Sequence, residues 1–166
     1  MVFSYILINS LFYAVIATGY ILMLMYFFNP RIWGYQDYPD IIKEKVPPQT
    51  GRERGIAGLV SIPWVIFTFG FPIYSTYTLK LQQGNEIEFL IAFLNIFVMV
   101  TLFFAGDLII LDWFIISKWT PDFVIIEGSV QADYKDFSHH YRGHAIASIP
   151  LVLICLILAA VVTYVI

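Results

Sequence analysis

Charged residues are scarce in this 166-residue chain: Asp, Glu, Lys and Arg make up 13% of it, about half the share that is typical of soluble proteins. Hydrophobic residues reach 60% and aromatic residues 18%. A soluble fold of this size cannot hide so much apolar surface, because small domains bury only part of the surface of their chain. The composition therefore excludes an ordinary soluble domain and predicts an integral membrane protein.

Basic residues, cysteine and histidine are also few, and each shortage excludes a class of site. Nine Lys and Arg against twelve Asp and Glu give a formal net charge of −3, so no nucleic-acid partner is expected. The single cysteine, Cys155, excludes an internal disulfide, a Cys-x-x-Cys redox pair and a Cys-rich zinc site. The apolar segments contain no histidine, which argues against a membrane-buried haem with paired His ligands. No cofactor is expected.

Four long apolar segments predict membrane-spanning helices, at residues 5–28, 56–79, 87–117 and 145–166. Continuous segments of this length are helices, and the alternating pattern of a barrel strand is absent from the sequence. The predicted fold class is all-α. It is a bundle of four transmembrane helices in a single membrane domain, residues 1–166, with two structured cytoplasmic loops, 29–55 and 118–144.

The distribution of basic residues predicts the orientation. Eight of the nine lie in the two long loops, and Lys80 alone lies between the second and third spans. Since Lys and Arg are retained on the cytoplasmic side, both loops are predicted to be cytoplasmic and both termini extracytoplasmic, in a multi-pass protein of the cell membrane. The first apolar segment has no preceding Lys or Arg and is too long for the core of a cleaved signal peptide.

The expected partners are the lipid bilayer, anionic lipid headgroups, and either a second copy of the chain or another membrane protein. Arg52, Arg54 and Arg142 are candidates for headgroup binding, because arginine pairs well with phosphate. The alternative for these arginines is simple anchoring by the positive-inside rule.

Two packing features are predicted within the spans. Ser10, Ala14 and Thr18 are four residues apart, so they form a stripe of small residues where another helix can approach closely. Pro72 is predicted to kink the second span and to free a backbone carbonyl that a neighbouring helix must satisfy.

The second loop holds all three histidines of the chain. If its last part is one helix, Asp133, Asp136, His140 and His144 fall on one face, but they spread over about 16 Å and cannot all reach one ion. Carboxylates and imidazoles are good ligands for divalent metals, so Asp136, His140 and His144 are the metal-ligand candidates. The alternative is the polar face of an interfacial helix. No bound metal is expected.

Two aspartates lie within the third apolar segment, and ionisable residues in such segments are functional candidates. Asp107 is about 27 Å along a helix from Phe89, close to the hydrocarbon thickness of about 30 Å. Its depth in the membrane therefore depends on where the helix enters and stays open. Asp112 is expected at the headgroup level. The two are about 140° apart around an α-helix, so an unbroken helix is not expected to aim both at one ligand. Together with His140 and His144 they are the catalytic candidates, and the alternative is a structural hydrogen bond or ion pair.

Both loops contain short motifs that resemble those of other membrane proteins. They are NPRIW at residues 29–33, DYPDI at 37–41, PP at 47–48, YKDF at 134–137 and HYRG at 140–143. With the spacing of the spans, they resemble small bacterial four-span membrane proteins of uncharacterised function. The resemblance implies the four-span fold and no particular activity.

Three classes of function fit the sequence. The first is a non-catalytic accessory or structural membrane protein. The alternative is an interfacial enzyme that acts on a lipid or lipid-linked substrate with Asp107, Asp112, His140 and His144. The third is a small proton- or cation-coupled transporter that uses Asp107. The sequence does not decide whether the protein is an enzyme. It does predict that Asp107 lies close to the face of His140 and His144, without a bound metal.

Overall fold

Four long helices dominate the structure, a computed structural model that describes residues 2–166. Helix α1 (Val2–Phe27) is followed by two short helices, α2 (Pro30–Trp33) and α3 (Asp40–Lys43), and then by α4 (Gly51–Gln82) and α5 (Phe89–Gly106). Helix α5 continues directly into a π-helix, Asp107–Trp119. Two 3₁₀ turns, Asp122–Val124 and Gln131–Tyr134, precede α6 (Ser138–Tyr164). Residues 2–166 contain no β-strand.

Four segments of the chain are long and apolar enough to cross a membrane: Val2–Phe27, Gly51–Gln82, Phe89–Trp119 and Gln131–Tyr164. The predicted all-helical class and the four span-length helices are therefore confirmed. Helices α4 and α6 begin earlier than predicted, so both connecting loops are shorter. Helix α4 begins early because Thr50 and Glu53 form a capping box, in which each side chain accepts a hydrogen bond from the other residue's backbone N–H.

Helices α1 and α4 are joined by hydrogen bonds from side chains to the backbone. Three tyrosine hydroxyls of α1 donate to carbonyls of α4: Tyr5 to Ser75, Tyr13 to Thr68 and Tyr20 to Val60, at 2.9, 3.4 and 2.6 Å. Pro72 has no N–H and leaves the Thr68 carbonyl without its helical partner, so Tyr13 supplies the missing donor. The expectation that a neighbouring helix satisfies the carbonyl freed by Pro72 is confirmed.

The small-residue stripe of α1 faces protein. Ser10 is fully buried, Thr18 is buried and Ala14 is half-buried. Helix α1 makes its most extensive contact with α5, and Gly106 at the end of α5 lies so close to Thr18 that an added Cβ would be 3.3 Å from its hydroxyl oxygen. Because small side chains let two backbones approach, this face of α1 fits tightly between its neighbours, as predicted.

The two connecting loops pack on each other at one end of the molecule and form a loop core. Its buried apolar residues are Tyr38, Ile42, Val46, Val124, Ile126 and Tyr134. The rings of Tyr38 and Tyr134 meet edge to face, with their centroids 5.1 Å apart. The Tyr38 hydroxyl donates to the Val124 carbonyl, and the Tyr134 hydroxyl accepts from the Ile126 N–H, both at 2.9 Å. The loops are therefore one structured unit and hold the adjacent helix ends in place.

Candidate functional site

The carboxylates of Asp107 and Asp112 lie on one face because the segment that carries them is a π-helix, Asp107–Trp119. In a π-helix each N–H bonds to the carbonyl five residues back, so residues five apart lie on the same side. The same pattern ends the segment, where the Thr120 N–H donates to the Ile115 carbonyl at 2.7 Å. The expectation that this helix cannot aim both carboxylates at one ligand is therefore wrong, since it assumed α-helical geometry.

Helix α6 brings two histidines to these carboxylates. His140 and His144 are four residues apart, so they share one face of the helix. His140 Nδ1 is 3.2 Å from Asp112 Oδ1, and His144 Nδ1 is 3.5 Å from Asp112 Oδ2. His144 Nε2 is 3.4 Å from Asp107 Oδ2. The predicted contact between Asp107 and the histidine face is confirmed, and Asp112 takes part in it as well.

The hydrogen bond of His144 to the backbone assigns its protonation. Its Nδ1 is 3.2 Å from the carbonyl oxygen of His140, and because a carbonyl only accepts, Nδ1 carries the proton. In the neutral imidazole Nε2 then presents a lone pair. Nε2 is buried and forms no hydrogen bond within residues 2–166, and the Asp107 carboxylate oxygen lies 3.4 Å from it. The ring of Phe104 packs against His144 at a centroid distance of 4.3 Å and holds the imidazole in place.

The carboxylates and imidazoles line a cavity of about 580 Å³. Its carboxylate and imidazole lining consists of Asp37, Asp107, Asp112, His139, His140 and His144, and Gln36 and Ser61 add two uncharged polar groups. Helices α1 and α4 contribute mainly apolar lining residues: Ile21, Leu24, Met25, Val60 and Trp64. None of the described residues that line the cavity is Lys or Arg. The cavity is therefore amphipathic, and its polar side is acidic.

Comparison with protein-family models, curated proteins and solved structures finds no match. The chemistry of the cavity is therefore argued from its own residues.

Two residues of the cavity were not among the candidates from the sequence. Asp37 comes from the first loop, and His139 from the first turn of α6. The Asp37 carbonyl oxygen is 3.1 Å from His139 Nε2, a contact that joins the first loop to α6. The protein packed around Asp37 raises the pKa of its carboxyl, and the Asp112 and Asp107 carboxylates raise it further. No local motif signals this placement, because it depends on how the loop folds back over α6.

The acidic residues of the second loop lie outside the cluster. The Asp136 carboxylate accepts a hydrogen bond from the Ser138 N–H at 2.9 Å, at the start of α6. The Asp133 carboxylate forms an ion pair with Lys45 of the first loop. The single helical face predicted for Asp133, Asp136 and the histidines is wrong, because a 3₁₀ turn ends at Tyr134 before α6 begins. Asp136 therefore does not share a site with the two histidines.

The three arginines expected to bind lipid headgroups do not line the cavity. Arg52, Arg54 and Arg142 are exposed, and their contact with headgroups stays a prediction. Arg31 has a structural role instead. Its Nε is 2.6 Å from a Glu53 carboxylate oxygen, and its guanidinium also donates to two proline carbonyls of the first loop.

Proposed function

We propose that the protein is an interfacial membrane enzyme that acts on the headgroup of a lipid or lipid-linked substrate. The observation that carries this proposal is the convergence of Asp107, Asp112, His140 and His144 at a cavity to which α1 and α4 contribute mainly apolar residues. Such a cavity suits an amphiphile, whose polar group lies at the cluster while its hydrocarbon lies along α1 and α4. Carboxylates paired with imidazoles are the groups that acid–base catalysis uses.

The proposed placement in the membrane brings the cavity to the level of the headgroups. In this placement the four long helices form a transmembrane bundle. Helix α5 has 18 residues, and at a rise of about 1.5 Å per residue it spans about 27 Å, close to the hydrocarbon thickness of about 30 Å. If α5 enters the hydrocarbon at Phe89, Asp107 lies at the opposite interface. Eight of the nine basic residues support a cytoplasmic position for that end and for both loops, with extracytoplasmic termini.

Two features favour an enzyme over the accessory role that ranked first on the sequence alone. A purely structural cluster satisfies its polar groups and leaves no cavity beside them. Here the buried Nε2 of His144 has no hydrogen-bond partner within residues 2–166, and the cluster borders a cavity of about 580 Å³. Ionisable groups gathered at a cleft are typical of functional sites.

The proposal is tested with purified protein in nanodiscs that contain one lipid class at a time: phosphatidylglycerol, phosphatidylethanolamine, phosphatidic acid or a polyprenyl phosphate. Mass spectrometry of the extracted lipids measures the conversion of the headgroup. We expect conversion of one class and a fall of at least about 100-fold in rate for Asp112→Asn. The exposed Asp122 lies outside the cavity, so Asp122→Asn serves as the matched control and should keep the wild-type rate. Lipid binding without conversion of any class would instead favour the accessory role.

A further inference from the structure

We infer that Asp107, Asp112 and His144 bind a divalent transition-metal ion such as Zn²⁺. One ligand atom from each of the three residues lies within 4.8 Å of the others. Two carboxylate oxygens and one imidazole nitrogen form a ligand set that such ions accept, with a further position left for water or substrate. This site goes beyond the proposed function, since it assigns an occupant to the cluster whether or not a lipid binds beside it.

The spacing of the atoms fits coordination better than hydrogen bonding. Zinc bonds to His nitrogen and carboxylate oxygen are about 2.0–2.2 Å long, so two ligands of a tetrahedral site are about 3.4 Å apart. His144 Nε2 and Asp107 Oδ2 are 3.4 Å apart, which is long for an N–H···O hydrogen bond. An ion between these two atoms is compatible with their separation.

The protonation of His144 also fits a metal ligand. Its Nδ1 donates to the His140 carbonyl, which leaves the Nε2 lone pair turned toward Asp107. Histidine ligands in proteins almost always donate their other ring N–H in this way, to a carbonyl or a carboxylate. His140 has a supporting position, because its Nδ1 is 3.2 Å from Asp112 Oδ1 and can orient that carboxylate. The ligand candidates from the sequence thus change: Asp136 and His140 leave the set, Asp107 and Asp112 join it, and His144 stays.

The charges around the cluster favour a cation. Asp37, Asp107 and Asp112 all line the cavity, and none of the described lining residues is Lys or Arg. Carboxylates gathered in this way repel one another unless positive charge lies near them, and either a bound ion or the protonated imidazoles of His140 and His144 can supply it. A bound ion borders the cavity, so its open position can take an oxygen of an anionic headgroup.

The metal site is tested on full-length protein in detergent, without lipid, carrying no polyhistidine tag and stripped with EDTA. Calorimetric titration with Zn²⁺ measures affinity and stoichiometry, and Co²⁺ absorption reports tetrahedral coordination. We expect one ion per chain and affinities at least tenfold weaker for Asp107→Asn and for His144→Gln. His139→Gln removes an imidazole of the same cavity that is not a proposed ligand, and should bind within twofold of wild type.

Circular dichroism checks that each variant keeps its helix content, and Asp112→Asn replaces any variant that loses it. No stoichiometric binding, or unchanged affinity in the ligand variants, would overturn the metal site. Repeating the nanodisc assay with EDTA separates the two proposals. Conversion of a lipid by protein that binds no zinc contradicts the metal site alone, whereas zinc binding without conversion of any lipid contradicts the enzyme alone.

Discussion

Asp37 reaches the cavity from the first loop, away from the helices that carry the other carboxylates and the histidines. The side chain is exposed at the cavity, yet the surrounding protein raises the pKa of its carboxyl. The charged and titratable groups that act on it are Asp112, Asp107, His140 and Lys43. Because desolvation by the surrounding protein is the largest cause of the raised pKa, and the like charges of Asp112 and Asp107 add to it, the ionised form of Asp37 costs the folded state free energy.

Asp37→Asn should therefore stabilise the metal-free protein at neutral pH. A carboxyl whose pKa is raised from its usual 3.8 binds its proton more tightly in the folded than in the unfolded state. The stability from this proton is fully present below about pH 4 and is lost as the pH rises through the raised pKa. The variant cannot ionise, so its melting temperature should match wild type near pH 4 and exceed it near pH 7. A difference that does not change with pH, or one that Asp122→Asn reproduces, would contradict this explanation.

Tyr38 makes a buried polar contact in the loop core. Its ring is fully buried, and its hydroxyl donates to the Val124 carbonyl at 2.9 Å. Tyr38→Phe leaves that buried carbonyl without a donor and should cost about 1–2 kcal/mol of unfolding free energy. Thermal unfolding in detergent measures the loss, with Tyr141→Phe as the control, since Tyr141 is 60% exposed. Equal stability of the two variants would mean that water replaces the lost hydroxyl.

Among the elements, the long helices were predictable from the sequence, whereas the π-helix was not. Uninterrupted apolar segments indicate helices on their own, because the lipid leaves few other ways to satisfy the backbone. Asp107 and Asp112 are five residues apart, and only the unusual hydrogen-bond pattern of the π-helix puts them on one side. Nothing in the local sequence specifies that pattern. The contact of Asp37 with α6 depends in the same way on long-range loop packing.

The packing of α1 can be tested at Ser10. This side chain is fully buried, so Ser10→Leu forces extra volume into a closed interface and should cost about 1–3 kcal/mol. The matched control is Val15→Leu, at a position of the same helix that is 68% exposed and should tolerate the change. Melting temperatures in detergent compare the two variants. If Ser10→Leu melts at the wild-type temperature, this face of α1 is not closely packed.

Across the whole molecule, both connecting loops pack together at one end of the long helices, next to the cavity. The basic residues of these loops predict that this end is cytoplasmic. The residues lining the cavity come from the first loop, α1, α4, α5, the π-helix and α6, so the site exists only when the chain is fully assembled.

The orientation is tested by labelling single cysteines in a Cys155→Ser background. Glu127→Cys lies in the second loop and should resist an impermeant thiol reagent in intact cells, then react after the membrane is permeabilised. Glu86→Cys lies in the connection between α4 and α5 and should react without permeabilisation. Both glutamates are exposed, so access within the protein is not limiting. The reverse pattern would place the loops outside the cell.

The most direct test of the central claim is imidazole nitrogen NMR of the metal-free protein, which has only three histidines to resolve. Since His144 contacts both carboxylates, Asp107→Asn and Asp112→Asn should each shift the His144 signals. Asp112→Asn should also shift those of His140, and neither should move His139. In an α-helix the two carboxylates would be about 140° apart, and His144 could respond to only one of them. If one or both of these substitutions leave the His144 signals unshifted, the shared site is contradicted.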